Sequence, residues 1–262
     1  MKKVLLSLLC LTLILCFVTG CQNNNAQETE NTKDGYQYKI VGETIEIISY
    51  DKKESKSIVV PGTIVERPVK TLGKDAFYQC KNAETILLPQ TLTTFEGSPF
   101  YRCYSLKQIF IPRSVENIDA NPFFRCRALE KIVVDEKNDT FEDVDGVLFD
   151  EGKTVLIAYP EGNKREEYII PSTVKKINID SFGYRTNLKK LTIGSNVVEF
   201  PEENMFIFPD DIVLCVEQGS AAEAYAKKHN LKYNTNTRGL TQGTQGDGYC
   251  DGVWNTGDGS LC

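Results

Sequence analysis

A 23-residue period runs through the middle of this chain and leaves few folds open to it. Cys80, Cys103 and Cys126 stand 23 residues apart, and so do Phe77, Phe100 and Phe123. Pro89 and Pro112 keep the spacing, Asp135 stands where the next proline would fall, and Pro171 and Gly194 are again 23 apart. Counted from Pro89, Pro112, Pro171 and Gly194, the third residue on is Leu92, Val115, Val174 and Val197. The sixth is Phe95, Ile118, Ile177 and Phe200, and the eleventh is Phe100, Phe123, Phe182 and Met205. The twentieth is Ile109, Ile132, Leu191 and Leu214; the twenty-second is Ile111, Val134, Ile193 and Val216. Apolar columns that recur in this way mark a stacked repeat, in which one turn buries its apolar face only against the next.

Each turn has a physical reading. Short β-branched runs such as Ile58-Val59-Val60, Ile86-Leu87-Leu88, Ile109-Phe110-Ile111 and Ile132-Val133-Val134 alternate inward and outward as strands do. Three of these runs end in proline (Pro61, Pro89, Pro112), which cannot donate to a ladder and so ends the strand. A second short extended piece carries the third and sixth residues inward. A corner, Asp75-Ala76-Phe77-Tyr78-Gln79-Cys80 in the first turn, delivers an aromatic and a cysteine to the core. About seven such turns, with strands roughly 4.8 Å apart, predict a β-rich α+β solenoid on the order of 30 Å long with a parallel strand ladder.

The turn pattern, written IP..V..I....F..C..L..I.IP, resembles the BspA-like leucine-rich repeats of bacterial surface proteins. The resemblance covers about residues 35–233 and is carried most closely by Asp75–Cys80 followed by Ile86-Leu87-Leu88-Pro89. It implies an N-terminal hairpin cap over Tyr36–Ile40 and Thr44–Tyr50, and a hairpin insertion from Asp145–Phe149 to Ile157–Pro160. That insertion accounts for an interval of 36 residues, not 23, between Asp135 and Pro171. It further implies a closing helix over Gly219–His229, covering the last open edge. In later turns Arg185 and Phe208 replace the corner cysteine, and Met205 replaces the phenylalanine. Pro99 and Pro122 replace the small residue before the aromatic. These departures predict local irregularity within the same fold.

The N-terminus gives an address. Lys2-Lys3 precedes an apolar run from Val4 to Val18, the length of a signal h-region and too short for a comfortable membrane span. It ends in Val18-Thr19-Gly20-Cys21, which resembles a bacterial lipobox and implies diacylglyceration of Cys21 after removal of residues 1–20. An ordinary cleaved signal or an uncleaved anchor would leave the cysteine's place, directly after the small pair, unexplained. Acyl chains on Cys21 would hold the protein to the outer side of the cell membrane. Residues 21–34 read as a solvated tether, 35–233 as the solenoid, and 234–262 as a Gly-, Asn- and Thr-rich linker and tail.

Charge narrows the partners. Removing residues 1–20 takes away Lys2 and Lys3, so the net −6 of the chain becomes −8. Nucleic-acid binding depends on phosphate neutralisation by Lys and Arg, so nucleic acid is not expected as a partner. Catalysis is thinly supported as well, and neither an enzyme nor a cofactor is expected. His229 is the sole histidine, and no glycine-rich phosphate loop follows a strand. Asp143, Asp145, Asp150 and Glu151 cluster in the insertion and read as a solvated loop. Cys80, Cys103, Cys126 and Cys215 lack the Cys-x-x-Cys spacing of a zinc site and read as small buried hydrophobes.

Two ideas attach to the tail. Cys250 and Cys262 are a candidate disulfide, which an extracellular setting permits. Asp247, Asp251, Asn255 and Asp258 fall at positions one, five, nine and twelve of a calcium-loop count, with Gly252 at six. Against calcium stand Tyr249 at position three, Asp in place of Glu at twelve, and no flanking amphipathic helices. A disordered tail is the competing reading.

Binding surfaces are sought among outward residues. Leu87, Phe110 and Thr192 lie between inward positions of the strands; Tyr78, Tyr101, Tyr104, Phe124 and Tyr184 lie near the corners. Two function classes follow. One is a surface-anchored binding module for an extracellular protein or glycan, as the resemblance implies; the other is a structural lipoprotein that scaffolds the cell's own envelope.

Overall fold

The structure, a computed structural model, describes residues 31–183, 186–204 and 212–235. Strands β1 (Asn31–Lys33), β2 (Tyr36–Val41) and β3 (Thr44–Tyr50) form an antiparallel cap, as the resemblance implied for the last two. The first turn follows with β4 (Ser57–Val59), β5 (Thr63–Ile64) and β6 (Arg67–Leu72). The next turns supply β7 (Thr85–Leu87) and β8 (Thr94–Phe95), β9 (Gln108–Ile111) and β10 (Asn117–Ile118), and β11 (Lys131–Val134). A meander of β12 (Phe141–Val144), β13 (Val147–Asp150) and β14 (Val155–Ala158) interrupts the repeat. Then come β15 (Glu167–Ile169), β16 (Lys176–Ile177), β17 (Lys190–Ile193), β18 (Val213–Val216), α1 (Ala221–Lys228) and β19 (Tyr233–Asn234).

Two strand systems run along the solenoid. The main one is parallel and segmented: β4–β7, β9–β11 and β15–β17–β18–β19. The second joins β3, β6, β8 and β10 in parallel, and resumes as β14–β16 after the insertion. Register follows the sequence period: Gln108 to Ile111 pair with Lys131 to Val134, each 23 residues on. Inward residues of the alternating pattern, among them Ile58, Ile86, Ile109 and Ile132, are buried.

The corners stack as the columns predicted. Phe100 lies between Phe77 at 5.6 Å and Phe123 at 5.4 Å, with Phe95 edge-on at 5.7 Å. Such aromatic pairs are worth ~0.5–1.5 kcal/mol beyond their area burial. Cys80, Cys103 and Cys126 are free and fully buried behind these rings. The Cys103 and Cys126 thiols donate to the carbonyls of Phe77 and Phe100 on the preceding turn, at 3.2 and 3.1 Å.

Three readings from sequence change in the structure. The insertion holds the antiparallel β13–β14 hairpin that the resemblance implied, with β12 added to make a meander, and two of the four carboxylates read as solvated are engaged while Asp145 and Glu151 stay exposed. Asp143 accepts from the Val134 amide at 2.8 Å, and Asp150 accepts from the Val155 amide and the Thr154 hydroxyl, both at 2.6 Å. These carboxylates hold backbone, because a strand leaving the solenoid must find new partners for its amides. The helix, capped by the Ser220 hydroxyl at the Glu223 amide, is not the last element: β19 follows and pairs with β18, so eight strands line the main system where seven turns were expected. Cys215 is buried, as read from the sequence, but it is disulfide-bonded and not a free thiol.

Candidate binding surfaces

The strands expose one apolar column. On β4 and β7, Val59 pairs with Leu87; on β9 and β11, Phe110 pairs with Val133. Val59 is 63% exposed, Leu87 58% and Phe110 43%. Beside it runs a polar column of Ser57, Thr85, Gln108 and Lys131, in which Thr85 donates to Ser57 at 3.0 Å. Main-chain ladders fix Val59 against Leu87 and Phe110 against Val133, so each pair is presented without loop entropy to lose on binding.

After the insertion the column resumes with exposed Ile169 and then changes. Thr192, Cys215 and Asn234 follow it in register and are buried, Thr192 to 4% exposure. Thr192 was expected to face outward with Leu87 and Phe110. Alternation sets the side of the strand correctly, but it does not fix whether that side meets solvent, and here it does not.

A second surface lies at the corners. Tyr78, Tyr101 and Phe124 are half-buried and stack at 5.3 and 5.7 Å. The Arg102 guanidinium sits 5.0 Å from the Tyr101 ring centre and 5.8 Å from that of Tyr78, and donates to the Tyr78 hydroxyl at 3.1 Å. Arg125 sits 5.7 Å from Phe124 and 5.9 Å from Tyr101, and Arg127 lies 5.1 Å from Tyr104. Such cation–π contacts contribute ~0.5–1 kcal/mol each at exposed sites. Desolvation lowers the Arg102 pKa, but the neighbouring Tyr101 and Tyr78 outweigh it and leave it raised, so the charge is permanent.

Local backbone places these cations. Gln79, Arg102 and Arg125 occupy the same corner position, with φ of 58°, 63° and 62°. A left-handed backbone at a non-glycine residue costs ~1–3 kcal/mol and persists only where its surroundings over-determine it. A ladder between corners does so here: the Gln79 amide donates to the Tyr101 carbonyl at 3.0 Å and the Arg102 amide to that of Phe124 at 3.2 Å. The insertion removes the next corner, and the Arg125 amide donates instead to the Glu161 carboxylate at 2.6 Å. Glu161, buried and unflagged by any sequence pattern, takes the place of a missing carbonyl.

The remaining candidates from sequence fall as follows. Tyr184 lies outside the described residues. So do Cys21, Cys250 and Cys262, and with them Asp247, Asp251, Asn255 and Asp258. His229 lies tilted against Tyr225 with ring centres 4.4 Å apart, and burial, then the charge of Lys228, lowers its pKa. The hydrogen bond with Cys103, then burial, raises the Cys80 thiol far above its ordinary value; Cys103 is raised too, first by Cys126. Neutral buried thiols of this kind are poor nucleophiles. Among the described residues no group of three His, Cys, Asp or Glu is placed to hold a metal, and no helix is long and apolar enough to cross a membrane.

The family model for the BspA type leucine-rich repeat region matches residues 43–145 and 158–208, in six copies. The chain belongs to the BspA type leucine-rich repeat family. The unmatched interval holds most of the β13–β14 hairpin, the element that departs from the repeat. Members of this family are typically bacterial cell-surface proteins, and the repeat is a protein-interaction scaffold that is typically non-enzymatic. Among solved structures, the chain is similar to a leucine-rich repeat protein of T. pallidum, with 18% identity and a TM-score of 0.46 over 79% of this chain and 99% of that one. It is similar also to one from Eubacterium ventriosum (17% identity, TM-score 0.43, 72% of each chain). A third is the pneumococcal vaccine antigen PcpA (18% identity, TM-score 0.42, 71% of each chain). No curated protein matches the sequence.

Proposed function

We propose that this BspA type protein is a lipid-anchored receptor on the outer side of a bacterial membrane. Its strand face binds an extracellular protein, and it catalyses no reaction. The observation that carries the reading is the exposed apolar set Val59, Leu87 and Phe110, with Val59 paired to Leu87 on one ladder and Phe110 to Val133 on the next. Contiguous exposed apolar side chains of this kind mark interaction sites on soluble domains. The Ser57–Lys131 column would form the polar rim beside that apolar centre. The Val18–Cys21 motif supports the anchor, with Cys21 carrying the lipid and residues 22–30, short of the 21–34 tether read from sequence because Asn31–Lys33 forms β1 of the cap, lifting the solenoid off the membrane.

The test is capture by the full chain, and by its Leu87→Ser/Phe110→Ser variant, from host-matrix proteins and from solubilised envelope of the source cell. Saturable binding of a matrix protein that the variant loses supports the receptor. Capture confined to envelope proteins would replace it with the scaffolding lipoprotein, and no saturable binding to either would end it. Metabolic labelling with an alkyne-tagged fatty acid checks the anchor: label should appear on the protein and vanish in Cys21→Ala.

A further inference from the structure

The outward column of the main strand system is open early in the chain and covered late. Val59, Leu87, Phe110 and Ile169 are exposed, whereas Thr192, Cys215 and Asn234, which follow Ile169 in register, are 4%, 0% and 2% exposed. The cover therefore begins between β15 and β17. The core does not supply it. Leu191, Leu214 and Val216 point inward and pack in the second core with Ala222 and Ala226 of α1, while Cys215 belongs to neither core. Alternation aims the Thr192 column away from that core, so its burial needs something laid across the outer face.

Cys215 also has a covalent partner. Cys80, Cys103 and Cys126 are free, which leaves the cysteines at positions 10, 16, 21, 250 and 262. Cys10 and Cys16 lie in the apolar signal run, and the lipid reading occupies the Cys21 sulfur. Cys21 also precedes the cap, at the far end of the solenoid from β18. The other two lie in the tail, which begins beside the covered column: β19 pairs Asn234 directly with Cys215. Cys250 stands 16 residues beyond Asn234, and Cys262 stands 28 beyond it. At roughly 3.3 Å per residue, either length reaches back across three strands about 4.8 Å apart. Residues 205–211 adjoin β18 in sequence but hold no cysteine. The tail also carries apolar side chains fit to lie over the column, at Tyr249, Val253 and Trp254.

We propose that residues 246–262 lie across the outward face of β17, β18 and β19, fastened by a disulfide from Cys215 to one of the two tail cysteines, Cys250 or Cys262. The bond forms by thiol–disulfide exchange with a disulfide oxidant outside the cytoplasm. The two thiols give up two protons and two electrons, and the oxidant leaves as a dithiol. The tail is then a fixed part of the solenoid, and the strand face it covers is closed to any external partner. The tail cysteines do not bond each other, and one of them remains a thiol. The assignment stands whether or not Val59, Leu87 and Phe110 bind a protein.

The full chain is digested without reduction, and its cross-linked peptides are identified by mass spectrometry. A peptide pair joining Cys215 to Cys250 or to Cys262 is expected, and it should disappear on reduction. Hydroxyl-radical footprinting then reads the cover. Tyr249 and Trp254 should be several-fold more reactive in the Cys250→Ser/Cys262→Ser variant than in the unaltered chain. That variant leaves every solenoid residue in place, which an unchanged far-ultraviolet dichroism spectrum verifies. The proposal is overturned by a cross-link between Cys250 and Cys262, by Cys215 found reduced or joined to Cys21, or by equal reactivity of Trp254 in the two proteins. A bond from Cys215 to Cys21 would remove the lipid anchor as well, whereas a bond between Cys250 and Cys262 would leave that anchor standing.

Discussion

Before the insertion, the turns from β4 to β11 hold three free thiols, a stack of three phenylalanines and two candidate binding surfaces. Beyond it, the turns from β15 to β19 keep a parallel ladder but, after exposed Ile169, bury the corresponding outward column at Thr192, Cys215 and Asn234, and Cys215 is cross-linked. The repeat backbone is common to both stretches, so it does not by itself make a binding surface. What differs is which outward positions reach solvent. The meander separates two cores: Leu148 on β13 packs with the residues before it, while Val147 and Phe149 pack with those after it. Successive residues of a strand point to opposite faces, and here each face belongs to a different hydrophobic cluster.

The largest expected effect breaks the first core. Phe100→Ala removes the middle ring of the stack and should cost ~3–5 kcal/mol, read as the shift of the thermal or denaturant midpoint. Next comes the junction. A Cβ on Gly162 would come within 2.6 Å of the Ala128 backbone, and a Cβ on Gly183, where φ is 63°, would strike the Glu161 side chain. Gly162→Ala should therefore destabilise by ~1–3 kcal/mol through overpacking, and split one calorimetric transition into two as the halves uncouple. A single transition at the wild-type midpoint would mean that the halves are not joined there.

Glu161→Ala leaves the Arg125 amide without its acceptor and should cost ~1–3 kcal/mol. The loss should concentrate in the first half, seen as faster hydrogen exchange at the corners. The smallest effect belongs to the far end. The Lys227 ammonium, then the Gly219 amide, holds Glu223 below the ordinary carboxylate range. A depressed folded pKa stabilises above the unfolded value and is lost as pH falls through the folded one. Helix signal should therefore weaken below about pH 4.3, and Glu223→Gln should remove that dependence with a loss of under ~1 kcal/mol at neutral pH.

Much of the fold was legible because its signal is periodic. Phe77, Phe100 and Phe123, or Ile109 and Ile132, need only a spacing and an apolar side chain to be placed in a column. The meander was recognised as an interruption, but its role as a wall was not, since Val147-Leu148-Phe149 is apolar on both faces and periodicity cannot say which core each face meets. Glu161 and Gly162 were invisible for a related reason. They act where the repeat fails, and a single carboxylate standing in for a carbonyl leaves no pattern. The corner aromatics were marked as a candidate surface, but the ordering of Arg102 and Arg125 by their rings needed the left-handed corner, which no residue type announces. The prolines show a legible departure with a local cause. Ser98 and Asn121 precede proline and avoid the left-handed backbone that Asp75 and Asp180 adopt at the same position.

If partner binding belongs to the turns before the insertion, hydroxyl-radical footprinting of the full chain, with and without a captured protein partner, should show protection of Leu87 and Phe110 with Ile169 unchanged. Protection centred on residues 167–234, with Leu87 and Phe110 still reactive, would contradict it.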